Sequence, residues 1–250
     1  MFGSKSRKFF LTSWFLLFCI HIPSFASEPI KFVYTDPPSM DFVKNWLVCG
    51  PFPILAATPE AELVRATNDK GLDTFSDAVY QAALDFDYLR EHGGEAEIAP
   101  KPGLSHTFSD NAYEWRPLNQ IHDFIDLRRS FNPCEDVVVY AYAQINMTEE
   151  KPMILSLGSD DGVKVWCNGE VLYSFYEGRP LEIDEVFCEV NLKKGKNRLL
   201  FKIQNQTLDF SFSCRMVAAE DLKTLQFRKR NQNAIQYFSN LFSGFFTKEN

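Results

Sequence analysis

Val137-Val138-Val139-Tyr140-Ala141-Tyr142-Ala143-Gln144-Ile145-Asn146-Met147 carries an apolar side chain at every odd position. Its even positions include Tyr140, Tyr142, Gln144 and Asn146. Neighbouring residues of a strand face opposite ways, so a period of two puts one face of this segment into a core. The pattern continues downstream. Met153, Leu155 and Leu157 repeat it, then Val163, Val165 and Cys167. Asn168-Gly169 follows, and then Glu170-Val171-Leu172-Tyr173. An Asn-Gly pair between two such runs predicts a hairpin, because a type I′ turn needs positive φ at both central residues. Val186, Cys188, Val190 and Leu192 form a further alternating row, as do Leu199, Phe201 and Ile203, and Phe210, Phe212, Cys214 and Met216. Polar turns such as Lys193-Lys194-Gly195-Lys196-Asn197 separate these rows. Short strands at this spacing describe a sandwich or barrel.

Upstream the chain is less regular. Lys44 to Cys49 reads as a strand ending in the sharp turn Gly50-Pro51-Phe52-Pro53. Pro59–Ala66 and Asp77–His92 read as helical, with Gly93-Gly94 as a stop. Ile125–Phe131 reads as a further strand, and Glu220–Phe246 has helical spacing. The expected fold is therefore mainly β: a jelly-roll-like antiparallel β-sandwich over 27–217, with short helical insertions and a C-terminal helical tail over 218–250.

Residues 1–26 read as a cleavable leader. Lys5, Arg7 and Lys8 precede the uncharged apolar run Phe9–Ile22, and Ser24-x-Ala26 fits the small-residue cleavage rule. The run is shorter than the roughly 20 residues a bilayer-spanning helix needs. Phe18 before Cys19 is bulky where lipoprotein processing takes a small residue. The expectation is a secreted or periplasmic protein of the cell envelope, with no transmembrane span after cleavage. Losing the leader's three cations leaves 23 Lys and Arg against 33 Asp and Glu, a net charge of −10. Such a chain, with no basic cluster longer than Arg228-Lys229-Arg230, is repelled by phosphate backbones, so nucleic acid is not an expected partner. Five cysteines remain (Cys49, Cys134, Cys167, Cys188 and Cys214), an odd number with no CxxC spacing. Small buried thiols fit them better than a zinc or redox site.

The residue types that carry catalysis are sparse. After the leader only His92, His106 and His122 remain, and no HExxH, GxSxG or phosphate-binding glycine loop occurs. Carboxylates are plentiful enough for glycosidic chemistry, but an acidic chain offers many pairs and the sequence selects none. The expectation is a non-catalytic protein, with a secreted hydrolase as an alternative.

One segment stands apart: Gly158-Ser159-Asp160-Asp161-Gly162-Val163-Lys164-Val165-Trp166-Cys167-Asn168-Gly169. It resembles the SDDG…W-x-N-G signature of PA14-type and galactose-binding-like β-sandwich domains of bacterial secreted proteins. Trp46-Leu47-Val48-Cys49-Gly50-Pro51-Phe52-Pro53 resembles the opening strand of that pattern. Asp87-Tyr88-Leu89 with Gly93-Gly94-Glu95, then Trp115, resemble its middle, Tyr140-Ala141-Tyr142-Ala143 its YA strand, and Lys194-Gly195-x-Asn197-x-Leu199-Leu200-x-Lys202-Ile203-x-Asn205 its end. Cys167 departs from it where an aliphatic residue is usual. The likeness spans about 44–216 and implies a binding module that accompanies glycoside-active enzymes or sits on bacterial surfaces.

The resemblance implies calcium at Asp160 and Asp161, holding sugar hydroxyls in turn. Two carboxylates supply part of the six to eight oxygens calcium takes. The competing reading has both aspartates capping the turn by accepting backbone N–H groups. Trp166, at an even and hence outward position, would stack on a sugar ring or else pack against the second sheet or a crossing loop. Arg179, in the Tyr176-Glu177-Gly178-Arg179-Pro180 loop, is a candidate donor to a ligand. Carbohydrate is the expected ligand. A structural or protein-interaction role in the envelope is the alternative, motivated by the amphipathic tail and the odd cysteine. The sequons at Asn146 and Asn205 matter only in a glycosylating host.

Overall fold

Seven strands carry the alternating stretch in a computed structural model that describes residues 32–54, 64–67 and 71–232. The leader, most of the helix expected over Pro59–Ala66 and the tail past 232 lie outside those residues. In chain order the elements are β1 (Val33–Thr35), β2 (Asn45–Pro53), β3 (Ala66–Thr67), β4 (Asp73–Thr74), α1 (Asp77–Asp85) and α2 (Gly94–Glu97). The short strands β5 (Ser105–Phe108), β6 (Asn111–Glu114), β7 (Arg116–Asn119) and β8 (Ile125–Asp126) follow. Then come β9 (Val137–Met147), β10 (Lys151–Ser159), β11 (Val163–Cys167), β12 (Glu170–Phe175), β13 (Val186–Leu192), β14 (Gly195–Asn205) and β15 (Ser211–Ala218).

The strands form a jelly-roll-like antiparallel sandwich. One sheet has the order β12-β11-β14-β9-β2-β7, and β1 lies parallel to the far end of β9 beyond the start of β2. The other has the order β13-β10-β15-β8. The odd residues of β9 meet Leu155 and Leu157 of β10, Phe212 and Cys214 of β15, and Trp46 of β2 in one core between the sheets. Trp46 packs edge-on against Phe201 at 5.2 Å and Phe212 at 5.1 Å. Its indole N–H donates to the Val43 carbonyl at 2.8 Å, so its one polar atom is satisfied within the core. Cys49, Cys134, Cys167, Cys188 and Cys214 are all free thiols, with Cys134 and Cys188 half-buried and the others buried.

The even positions are not turned toward water. Val138, Tyr140 and Tyr142 of β9, Leu200 of β14 and Trp166 of β11 form a second core with Val79, Tyr80 and Ala83 of α1 and with Trp115. The segment between β4 and β7 thus roofs the outer face of the larger sheet, which is buried on both sides. Such strands read as nearly unbroken apolar runs, which accounts for Val-Val-Val-Tyr-Ala-Tyr-Ala. A smaller cluster of Ile154, Val217 and Leu225 covers part of the outer face of the second sheet. Leu225 belongs to the C-terminal helix, which is helical over 222–232 among the described residues.

A buried lysine fastens the roof. Lys202 on β14 is fully buried, and its Nζ donates to the Leu84 carbonyl at 2.7 Å, the Phe86 carbonyl at 2.6 Å and Glu95 Oε1 at 2.9 Å. Tyr140 O–H donates to the same Glu95 oxygen at 2.5 Å. On the opposite face of the molecule, Arg215 forms a two-pronged pair with Asp184, which also accepts from Ser156 at 2.6 Å.

Three local expectations are corrected. The helix expected over Asp77–His92 ends at Asp85 and resumes only as a 3-10 turn, Arg90–His92. Asp87 is the cause: its carboxylate accepts from Leu89 N–H at 2.8 Å and Glu95 N–H at 3.2 Å, a local turn that competes with helical bonding. Ala66, placed at the end of the first expected helix, lies in β3 instead. The strand expected over Ile125–Phe131 shortens to Ile125–Asp126, because Leu127 and Arg128 both donate backbone N–H to the Phe210 carbonyl and turn the chain.

Candidate functional site

The Gly158–Gly162 turn joins β10 to β11 at one end of the sandwich. Its two aspartates have different surroundings. Asp161 takes φ +56°, and both of its carboxylate oxygens accept backbone N–H groups, Oδ1 from Arg179 at 3.1 Å and Oδ2 from Gln206 at 2.7 Å. Its own N–H donates to the Arg179 carbonyl at 2.8 Å. Asp161 therefore ties the turn to the 178–179 loop and to the end of β14. A Cβ on Gly162 would stand 2.7 Å from Gln204 Oε1, so the Gln204 side chain would have to shift to admit one.

Asp160 is anchored only through its backbone, whose N–H donates to the Ser211 carbonyl at 2.9 Å. The residue is 6% exposed, and its Oδ2 is buried with no hydrogen-bond partner among the described residues. Burial pushes this carboxyl up to about 7, and the charges of Asp161 and Asp209 add to the rise.

These residues open onto a cleft of approximately 690 Å³. Its walls come from the 160–161 turn, the Gly178–Leu181 loop, the Gln206–Ser211 connection and the segment around β8, with Phe124, Asp126, Arg128 and Arg129. The pairing of Ser211 with Asp126 between β15 and β8 brings that last segment to the rim. Arg128 pairs with Asp209 at 3.2 Å and Arg129 with Asp126 at 3.2 Å. Phe124, half-buried, offers an aromatic wall.

Of the residues singled out from the sequence, Asp160, Asp161 and Arg179 line this cleft, and Trp166 does not. Arg179 is held in place. Its Nη2 donates to Ser159 Oγ at 2.8 Å, its Nη1 lies 3.0 Å from Glu185 Oε2, and its guanidinium lies 4.0 Å from the Phe175 ring centroid. Trp166 needs a correction. It does face away from the inter-sheet core, but it is 4% exposed beneath the helical roof, so its ring has no face free for a sugar. The sequence reading missed Phe124, Asp126, Arg128, Arg129 and Asp209. They belong to short or irregular segments, and only the Arg128-Arg129 doublet stands out in the sequence.

Calcium is poorly matched here. Asp161 is engaged on both oxygens, which leaves Asp160 as the one unengaged carboxylate of the turn against the six to eight oxygens that calcium takes. Among the described residues, the acidic, cysteine and histidine groups that converge within 4.8 Å are Glu91, His92 and His106 instead. That trio is no better. Trp115 Nε1–H donates to His106 Nε2 at 2.8 Å, which assigns the imidazole proton to Nδ1 and leaves that nitrogen no lone pair for a metal.

The turn that follows is structural. Asn168 and Gly169 have φ of +53° and +89°, as a type I′ hairpin requires. A Cβ on Gly169 would stand 2.5 Å from the Ala96 carbonyl oxygen. Asn168 Nδ2 donates to Asn197 Oδ1 at 2.9 Å, and Asn197 also holds the Lys193 N–H and carbonyl. The two asparagines of the quoted motifs thus meet. Asn205 is fully buried and donates to the Cys134 carbonyl at 2.6 Å, so its sequon is closed in the folded chain. Among the described residues no helix is long and apolar enough to cross a membrane.

No protein-family model and no curated protein sequence matches this chain. Among solved structures it is similar to a β-glucosidase from Kluyveromyces marxianus, with 15% identity and a TM-score of 0.36 over 45% of this chain and 15% of that one. It is similar to a GH31 α-xylosidase from Xanthomonas citri, with 10% identity and a TM-score of 0.30 over 42% of this chain and 15% of that one. The PA14 domain of the MpAFP antifreeze protein aligns over 74% of this chain and 87% of its own, at 11% identity and a TM-score of 0.34. At these scores the likenesses carry no argument, and the architecture rests on the chain's own strand pairing.

Proposed function

We propose that this protein is an exported, non-catalytic carbohydrate-binding module whose ligand lies in the cleft beside the Asp160-Asp161 turn. The observation that carries the reading is the make-up of that cleft. It has a volume in the small-ligand range, roughly 300–1,000 Å³, and it combines an aromatic wall at Phe124 with charged groups at Asp126, Asp160, Arg128 and Arg129. Sugars present alternating apolar faces and hydroxyl rims, and such a mixture suits both. The SDDG…W-x-N-G resemblance supports the same class of ligand, and the leader-like N-terminus supports export.

The test is calorimetry of the whole protein against a broad polysaccharide panel, with and without EDTA. Binding is expected without added calcium, and Phe124→Ala is expected to weaken it about tenfold through loss of ring stacking. Silence across the panel at high protein concentration sinks the reading. Binding abolished by EDTA and restored by calcium would overturn the metal-free form of it.

One observation favours a second reading, a hydrolase. Asp160, pushed up to about 7 by burial and by neighbouring aspartates, lies in the range of a general acid, and Asp126 and Asp209 share its cleft. Both lie 3.2 Å from an arginine, Asp209 from Arg128 and Asp126 from Arg129. Release of reducing ends from the panel, lost in Asp160→Asn, would install this reading in place of the first.

A further inference from the structure

Resting on the carbohydrate reading of the same cleft, we propose that it selects glycans bearing a free primary amino group, with the ammonium seated on Asp160. The argument is one of charge compensation. Arg128 is matched by Asp209, Arg129 by Asp126 and Arg179 by Glu185, each pair within 3.2 Å. Asp161 is held by two backbone N–H groups. Among the described residues Asp160 is left over: 6% exposed, lining the cleft, with a buried oxygen that accepts no hydrogen bond from any of them.

A buried carboxylate without a partner is costly, and it is relieved by a proton or by a cation. A sugar hydroxyl offers Asp160 one neutral hydrogen bond. An ammonium offers three donors and the missing charge, and such charge-assisted bonds are roughly twice as strong as neutral ones. An N-acetyl group supplies neither the charge nor three donors. A carboxylated sugar would meet like charge at Asp160.

Calorimetry of the full chain with a glucosamine hexasaccharide, its fully N-acetylated counterpart and a cellohexaose tests the assignment. The amino glycan is expected to bind about tenfold more tightly than either neutral one. In Asp160→Asn that ratio is expected to fall to within about twofold, with the melting temperature at or above that of the parent because a buried charge has been removed. Equal affinity for amino and neutral glycans overturns the inference and leaves the carbohydrate reading standing. Silence toward all three, and toward the wider panel, overturns both. A preference that survives Asp160→Asn is bulk attraction of a polycation to an acidic protein and also overturns the assignment. A melting temperature several degrees below the parent's would mean that Asp160 already has a partner within the fold, with the same consequence.

Discussion

Lys202→Met is the perturbation with the largest consequence that the fold dictates. Lys202 has no solvent exposure, and its three N–H bonds run to Glu95, Leu84 and Phe86 at 2.6–2.9 Å. Methionine fills most of the volume, so packing is nearly conserved. What changes is that Glu95 keeps its buried charge without its cation, and two carbonyls lose a donor. Removing one partner of a buried pair costs about 3–5 kcal/mol. In a chain of this size that is a fall in melting temperature of about 10 °C. The double variant Glu95→Gln, Lys202→Met is expected to recover about half the loss, because it removes the stranded charge. A pH series adds an independent reading. Burial pushes Lys202 down to about 8, against the pull of Glu95. A lysine that binds its proton more weakly when folded than when unfolded makes stability rise with pH between those two values, here from about pH 8 toward the unfolded value of ~10.4. Buried Cys49, Cys167 and Cys214 act the other way in that window, because burial pushes their thiols up while unfolded thiols ionise at ~8.5, so the lysine's share is the difference between parent and Lys202→Met. In paired denaturant titrations the stability of the parent relative to Lys202→Met should rise through that window. A single variant within about 1 kcal/mol of the parent, or a double variant no better than the single, refutes the account of Lys202 as a buried fastener.

Three other outcomes follow from the same geometry. Asp161→Ala leaves the Arg179 and Gln206 N–H groups without their acceptor and should cost about 3 kcal/mol in urea unfolding. Gly169→Ala forces positive φ on a Cβ that would stand 2.5 Å from a carbonyl, and should lower stability by about 2 kcal/mol or more. Leu225→Ala removes the buried apolar anchor of the C-terminal helix, 2% exposed, and should cost about 2–3 kcal/mol while leaving amide exchange slow in β9 and β14.

The sandwich was legible because its strands obey a short-range rule. The odd rows of β9, β10, β11 and β14 and the even row of β15 could be read one residue at a time, and Asn168-Gly169 announced its hairpin. The roof was not legible from the same rule. Tyr140, Tyr142 and Trp166 occupy positions that alternation assigns to an outer face, and only the placement of the segment between β4 and β7 decides whether that face meets water. Lys202 shows the gap most clearly. In sequence it is a polar residue at an even position of β14, and its burial depends on Glu95, more than 100 residues earlier in the chain. The cleft has the same character: β8 is two residues long, and its pairing with β15 carries Phe124, Arg128 and Arg129 to the rim.

The adjacent aspartates show why a motif names a place before it names a chemistry. Both residues of Asp160-Asp161 are acidic, buried and on one turn, and the sequence offers no ground for separating them. The backbone separates them. At φ +56°, Asp161 points into the body of the protein and is consumed by the Arg179 and Gln206 N–H groups that close the end of the sandwich. Asp160, with its N–H fixed to Ser211, is left at the cleft with a carboxylate that the fold desolvates and does not pair. Burying an unpaired carboxyl costs stability that a hydrophobic residue at the same place would not, so stability alone does not account for Asp160. The destabilising aspartate is therefore the one to pursue as a binding group, and its stabilising neighbour is the scaffold that holds it there.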